Sequence, residues 1–124
     1  MSTQKHVAIV TGGGTGVGQA TSKQLAQQGW SVVVNYSRSQ ADAERTVADI
    51  VAGGGQAIAV RADVAQDSDC RALVAQTLKS YGRVDVLVNS AGHGPRAPIL
   101  EISDADWAKG MDVYFLNVVR PTRL

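Results

Sequence analysis

The sequence predicts an α/β protein built on a doubly wound parallel sheet. Runs with strand composition alternate with runs of helical spacing along the 124 residues, in the order βαβαβαβα. Right-handed crossovers then place four strands in the spatial order 3-2-1-4. A cluster of glycines follows the first strand, at the point where the winding of such a sheet reverses and where ligands bind.

The first half of the chain predicts two strands and two helices. Val7 to Val10 is a short apolar run, and Trp30 to Tyr36 is mostly β-branched or otherwise apolar, as expected of strands that are buried on both faces. Helices are expected from Gly16 to Gln28 and from about Gln40 to Ala52, each followed by glycine. Their expected inward faces are Val17, Ala20, Thr21 and Leu25 in the first helix, and Ala43, Val47, Ile50 and Val51 in the second.

The second half repeats the pattern. Gln56 to Ala62 and Val84 to Asn89 predict the third and fourth strands. The intervening helix has acidic residues at its start, where the helix dipole favours negative charge, and Gly82 at its end. Its expected inward stripe is Cys70, Val74, Thr77, Leu78 and Tyr81. A last helix, capped by Ser103, is expected to start at Asp104 and to continue through Trp107, Met111 and Leu116 toward Pro121, with the Trp residues and Met111 in the core.

The glycine turn predicts a phosphate-binding site. Gly12, Gly14, Gly16 and Gly18 let the backbone bend and approach a ligand closely, since they carry no Cβ. Thr15 and Val17 complete the turn at the start of the first helix. The unpaired N–H groups and the positive end of the dipole there favour a pyrophosphate.

Composition excludes several other classes of function. The net charge is +1 and the basic residues are scattered, so neither a nucleic-acid surface nor a membrane-binding basic segment is expected. The single cysteine, Cys70, rules out an internal disulfide, leaves no cluster for a metal and is expected to pack in the core. The start of the chain is polar, and its first apolar run is too short for a signal peptide or a membrane helix. We therefore expect one cytoplasmic domain over residues 1–124.

Three motifs together resemble the short-chain dehydrogenases/reductases, in particular the classical group that includes 3-oxoacyl carrier-protein reductases. They are T-G-x-x-x-G-x-G at Thr11 to Gly18, Asp63-Val64 after the third strand, and Asn89-Ser90-Ala91-Gly92 after the fourth, where the family has Asn in place of Ser90. The resemblance implies a Rossmann-type fold that binds a nicotinamide dinucleotide. It implies that Asp63 contacts the adenine and that Asn89, Ala91 and Gly92 face the cofactor.

The end of the second strand favours NADP over NAD. An NAD site usually has a carboxylate about 20 residues beyond the glycines, to bind the ribose 2′-hydroxyl. Here the sequence is Asn35-Tyr36-Ser37-Arg38, and the Arg38 guanidinium can pair with a 2′-phosphate. The alternative is that Arg38 is a solvated loop residue.

The family's catalytic groups are not found. The resemblance implies a Ser that holds the substrate oxygen and a Tyr-x-x-x-Lys pair that transfers a proton, but no tyrosine of this sequence has lysine four residues later. The position of the family's active-site Asn falls on Tyr114, with Asn117 one turn away. His6 and His93 have no partner next to them in the sequence and are expected to be solvated. We therefore assign no catalytic residue and no metal ligand.

Three hypotheses remain open at this point. The chain is the cofactor-binding half of a short-chain oxidoreductase that moves hydride between NADP(H) and a small carbonyl or alcohol substrate, as a fragment or a truncated form. Alternatively, it is a non-catalytic dinucleotide-binding module that pairs with another chain, or a structural fragment that binds nothing. An unpaired edge on the fourth strand would favour a homo-oligomer.

Overall fold

A computed structural model describes residues 5–91, 100, 103–111 and 121–122, and these contain four strands and four longer helices. The elements are β1 (Val7–Thr11), α1 (Gly16–Gln27), β2 (Ser31–Tyr36), α2 (Gln40–Ala52), β3 (Gln56–Arg61), α3 (Asp67–Tyr81), β4 (Val86–Asn89) and α4 (Asp104–Gly110). Each differs from its predicted bounds by only a few residues at the ends, apart from α4. The remainder of the predicted last helix, including Leu116, lies outside the described residues.

The four strands form one parallel sheet in the order β3-β2-β1-β4. This confirms the doubly wound α/β fold and the predicted strand order. Thr11, the last residue of β1, is in register with Asn89, the last residue of β4. The carboxyl ends of these two neighbouring strands therefore meet where the winding reverses, which is the ligand-binding edge of such sheets.

The core lies on both faces of the central strands. On one face, Val10, Val32 and Val34 pack in a cluster with Ala43 and Ile50 of α2. The other face has its own cluster, which includes Leu73 of α3. Burial on both faces explains why β1 and β2 have continuous apolar sequences rather than alternating ones.

The inward face of α1 differs from the prediction. Val17 is 78% exposed and Ala20 is also exposed, whereas Gly18 and Ser22 are buried, with Leu25 partly buried. The helix begins so close to the glycine turn that a Cβ on Gly18 would collide with the Gly12 carbonyl group. The inward face of α1 is therefore set by how closely the helix approaches the glycine turn, which favours small residues, and not by the hydropathy of its side chains.

Two other expected core residues are also on the surface. Val51 of α2 and Leu78 of α3 are exposed, while Thr46 and Leu73 of the same helices are buried. The burial of Thr46 is tolerated because its hydroxyl makes hydrogen bonds, and a hydropathy pattern does not predict such a buried polar residue. Cys70 is buried, as predicted.

The helix α4 starts as predicted but does not bury its large side chains. The Ser103 hydroxyl accepts a hydrogen bond from the Asp106 N–H at 3.1 Å, which confirms the N-cap. Trp107 is 48% exposed and Met111 is 51% exposed, so the expectation that both are core residues is wrong. Within the described part of the chain, no strand or helix makes an extensive contact with α4.

Asp85 holds the start of β4 against the start of β1. Its backbone N–H donates to the Val7 carbonyl, and its carboxylate accepts from the Val7 N–H, both at 2.8 Å. Arg83 donates two hydrogen bonds to the same carboxylate. The Arg83 guanidinium and then the Val7 N–H lower the pKa of Asp85 to about 2.

His6 lies in the same cluster. Its Nδ1 is 3.6 Å from an Asp85 carboxylate oxygen, and its ring centroid is 5.0 Å from that of Trp30. The His6 side chain is 59% exposed, as expected, and the parallel pairing of β1 and β4 brings beside it a carboxylate that is far away in the sequence. His93 lies outside the described residues. None of the described helices is long and apolar enough to span a bilayer.

Candidate nucleotide-binding site

The glycine turn begins directly after β1 and contacts the turn after β4. Gly12 has a φ of +60°, and a Cβ on it would lie 2.9 Å from the Ala91 Cα. On the other side, a Cβ on Gly14 would lie 2.7 Å from the Ala43 Cα, in the first turns of α2. Glycine is therefore required at both positions by the close approach of backbone on either side.

The turn presents a row of free donors. The N–H groups of residues 14 to 18 have no acceptor anywhere in the described residues, whereas the Gln19 N–H donates to the Thr15 carbonyl. Thr15, Gly16 and Val17 are exposed, and the first turn of α1 has no acidic side chain. Five consecutive unpaired N–H groups at the positive end of a 12-residue helix suit the charge and size of a pyrophosphate.

Three buried polar side chains, those of Asn35, Ser22 and Thr46, hold the first residues of this turn in place, and we call them the frame. The Asn35 side-chain oxygen accepts from the Gly12 N–H at 3.3 Å, and its backbone carbonyl accepts from the Gly13 N–H at 2.9 Å. The Ser22 hydroxyl donates to the Gly13 carbonyl at 3.1 Å, and the Thr46 hydroxyl lies 3.3 Å from the Gly14 carbonyl. The turn is thus held through its first residues, which leaves the later N–H groups available.

Sequence reasoning missed this frame. Ser22 and Thr46 are polar residues at buried helix positions, and they were assigned to no face. Their spacing is a usable signal, since Ser22 lies one turn after Gly18 and Thr46 lies three residues after the inward Ala43. In the sequence, Asn35 indicates only that the second strand ends without a carboxylate.

Thr11 joins the two glycine-containing turns. Its buried hydroxyl accepts hydrogen bonds from the Ser90 N–H at 3.0 Å and the Ala91 N–H at 3.2 Å, and it donates to the Val88 carbonyl at 3.3 Å. The turn after β4 is therefore tied to the end of β1. Asn89 is exposed beside it, and its amide donates to the Thr122 hydroxyl at 3.4 Å. Gly92 lies outside the described residues.

Asp63 and Val64 form a turn after β3. One Asp63 carboxylate oxygen accepts from the Ala65 N–H at 2.9 Å, and the Asp63 N–H donates to Asp69 at 2.8 Å. The second carboxylate oxygen of Asp63 has no hydrogen-bond partner among the described residues. Val64 is buried, and its N–H likewise has no acceptor there. Consecutive residues therefore have a carboxylate oxygen and an N–H group without partners among the described residues.

Arg38 lies three residues beyond Asn35, at the same edge of the sheet. It is exposed, and its guanidinium has no ion pair or hydrogen bond with any residue that the structure describes. The nearest acidic side chain along the chain, Asp42, pairs with Arg45 at 3.3 Å. Arg38 is therefore free to bind an anionic ligand.

The chain matches the family model of the short chain dehydrogenases over residues 6–124. It belongs to the short-chain dehydrogenase family. The chain is 45% identical over 105 residues to the short-chain dehydrogenase/reductase homolog YusS of Bacillus subtilis, which covers 85% of this chain and 96% of that protein. It is 42% identical over 118 residues to a 3-oxoacyl-acyl-carrier-protein reductase of Synechocystis, covering 95% of this chain and 48% of the reductase.

Solved structures of the family have the same fold. A putative short-chain dehydrogenase/reductase from Burkholderia xenovorans has a TM-score of 0.93 at 29% identity, covering 98% of this chain and 51% of that one. Actinorhodin polyketide ketoreductase, solved with NADPH, has a TM-score of 0.91 at 32% identity, covering 99% and 47%. This short-chain dehydrogenase chain thus spans nearly all of YusS and about half of the reductase and of both solved structures.

Two further observations concern titratable side chains. No group of three or more His, Cys, Asp or Glu side chains is placed to hold a metal ion in these segments. Burial raises the pKa of Tyr81, the last residue of α3, which packs against the core cluster that includes Leu73. Tyr114 and Asn117, the two candidates for the family's active-site Asn position, lie outside the described residues.

Proposed function

We propose that this chain binds a nicotinamide dinucleotide as the cofactor-binding portion of a short-chain oxidoreductase, with NADP(H) preferred to NAD(H). The observation that carries the proposal is the row of N–H groups from Gly14 to Gly18, which have no acceptor among the residues that the structure describes. Buried side chains hold the preceding residues of the turn in place. Members of the family bind nicotinamide dinucleotides, and the ketoreductase above was solved with NADPH. The cofactor supplies or accepts the hydride when it is bound.

Three groups of residues divide the cofactor among them in this proposal. The turn binds the pyrophosphate through Gly12, Gly14, Thr15, Gly16, Val17 and Gly18. Asp63 and Val64 bind the adenine, because their free oxygen and N–H complement its polar edge. Asn89, Ala91 and Gly92 line the side toward the nicotinamide, next to the turn that Thr11 anchors.

Arg38 carries the preference for NADP(H). Its guanidinium is unpaired within the described segments and can bind a 2′-phosphate bidentately. No carboxylate lies between Asn35 and Gln40 to accept hydrogen bonds from an unphosphorylated ribose.

Calorimetric titration tests both parts of this proposal. We expect the 124-residue chain to bind NADPH more tightly than NADH, and Arg38→Ala to weaken NADPH binding about tenfold or more with NADH unchanged, since one charged pair is lost. Arg71→Ala, which removes an exposed arginine on α3, is the matched control and should change neither affinity. NADH affinity equal to or above that of NADPH would refute the preference, and absence of binding of either would refute the function.

The chemical step on a small carbonyl or alcohol substrate is proposed for a full-length enzyme. The 124-residue sequence contains no Tyr-x-x-x-Lys, so we expect this chain by itself to show no NADPH-dependent reduction of small ketones or aldehydes. The measurement is the rate at which NADPH absorbance falls after a ketone or aldehyde is added, with a family reductase as the positive control. A sustained rate from the purified chain would contradict the assignment.

The alternative is a non-catalytic dinucleotide-binding module. The match to YusS favours it, because that relative is of comparable length and is aligned over 96% of its residues. Both candidates share the cofactor site and differ in whether turnover appears when a carboxyl-terminal half of a family reductase is added. Restored turnover supports the first candidate, and unchanged cofactor binding without turnover supports the second.

A further inference from the structure

The side chain of Asn35 bridges three segments of the proposed site. It is 2% exposed, and its oxygen accepts from the Gly12 N–H of the glycine turn at 3.3 Å. Its amide nitrogen faces three carbonyl oxygens, those of Ala62 at 3.1 Å, Val60 at 3.3 Å and Tyr36 at 3.4 Å. One side chain therefore connects the turn after β1 with the ends of β2 and β3.

Only an amide satisfies these neighbours. The Gly12 N–H has the Asn35 side-chain oxygen as its acceptor. The Asn35 amide also supplies two N–H donors, which face the carbonyl oxygens named above. An aspartate of the same shape keeps the acceptor but turns an anionic oxygen toward the carbonyl groups. An apolar residue leaves the buried Gly12 N–H without a partner.

The segments that Asn35 connects belong to different parts of the ligand. Gly12 opens the turn proposed to bind the pyrophosphate, while Ala62 directly precedes Asp63 and Val64, which are proposed to bind the adenine. We propose that Asn35 is a positioning residue that fixes the distance between the pyrophosphate and adenine subsites. The inference rests on the proposed dinucleotide function and assigns Asn35 no contact with the ligand.

The test compares a ligand that spans both subsites with fragments that occupy one. NADPH, adenosine 2′-monophosphate and inorganic pyrophosphate are titrated into the wild-type chain, Asn35→Asp and Asn35→Ala. If Asn35 sets the spacing, we expect each variant to lose about tenfold or more in NADPH affinity, as for the loss of one hydrogen bond. This fold-loss in NADPH affinity should exceed the product of the fold-losses in affinity measured for the two fragments. Ser31→Ala is the matched control. Ser31 is also buried on β2 and donates to the Gln56 side chain, but at the opposite end of the strand.

The outcomes separate this inference from the proposed function. Failure of the wild-type chain to bind NADPH refutes the function itself. If the wild-type chain binds NADPH but the variants lose no more NADPH affinity than the product of their fold-losses for the two fragments, only the role of Asn35 is refuted. The residue then affects each subsite independently.

Amide hydrogen exchange in the wild-type chain keeps the inference testable if both variants fail to fold. The Gly12 and Gly13 amides should be protected without ligand, since both donate to Asn35, while residues 14 to 18 should gain protection only with NADPH. Rapid exchange at Gly12 in the free protein would overturn the proposal.

Discussion

At the scale of single residues, the site is shaped chiefly by positions where a side chain cannot fit. Gly12, Gly14 and Gly18 each have backbone within the volume of a Cβ, from the turn after β4, from α2 and from the turn itself. The sequence predicts these positions because glycine spacing is a direct consequence of that crowding. Asn35, Ser22 and Thr46 were not predicted as site residues, because a polar residue at an inward position has no signature until its hydrogen-bond partner is known.

The crowding at Gly18 predicts a large effect from one methyl group. Gly18→Ala should lower the free energy of unfolding by about 1–3 kcal/mol and weaken NADPH binding strongly, because the turn must move away from the added Cβ. Urea unfolding and calorimetry measure the two effects. Gly53→Ala is the control. A Cβ there would make only ordinary contacts at 3.6 Å, so a similar loss in both variants would contradict the steric explanation.

At the scale of elements, β4 is fastened to β1 at both ends by side chains. Asp85 bonds to the Val7 backbone at the start, and the Thr11 hydroxyl binds the turn at the end. The sequence predicts both strands from their apolar runs, but these contacts join residues that are distant in sequence and follow only from parallel pairing. The helix bounds are predicted well because they depend on local sequence. The inward faces depend on distant contacts, and Val17, Ala20, Val51 and Leu78 are predicted on the wrong face.

The Asp85 contact predicts a particular response to acid. Because the folded-state pKa of Asp85 is about 2, below its ordinary value of 3.8, its contribution to stability is present above pH of about 4 and is lost as the pH falls toward 2. Urea midpoints should therefore fall more steeply over this range for the wild type than for Asp85→Asn, which should also be less stable at neutral pH.

A surface carboxylate supplies the control for the acid response. Asp49→Asn removes an exposed ion pair with Lys23 at 3.2 Å and should cost less than about 1 kcal/mol. Parallel acid profiles for the wild type and Asp85→Asn would show that Asp85 does not hold the two strands together.

At the scale of the whole molecule, the alternation of strands and helices was sufficient to predict the sheet order and the edge that carries the site. In the described part of the chain, β4 is the outer strand on one side, and Trp107 of α4 and Met111, directly after α4, are half exposed. An open strand edge and exposed large apolar side chains both favour association with another chain. Self-association is therefore a proposal that follows from the fold.

Sedimentation velocity over a range of concentrations tests this proposal. We expect the chain to associate, and Trp107→Glu to weaken association without changing the affinity for NADPH, because Trp107 is not among the residues proposed to bind the cofactor. Val51→Glu, which alters an equally exposed apolar residue on α2, should leave association unchanged. A monomeric mass at high concentration would contradict the expectation.

The central claim is that backbone N–H groups at the start of α1 bind the two linked phosphates of the cofactor. Amide chemical shifts of the isotopically labelled chain during titration with NADPH test it most directly. The account predicts large, saturable shifts for residues 14 to 18 that are reproduced by ADP-ribose, which carries the pyrophosphate without the nicotinamide. Saturable binding that leaves these five amides unshifted would contradict it.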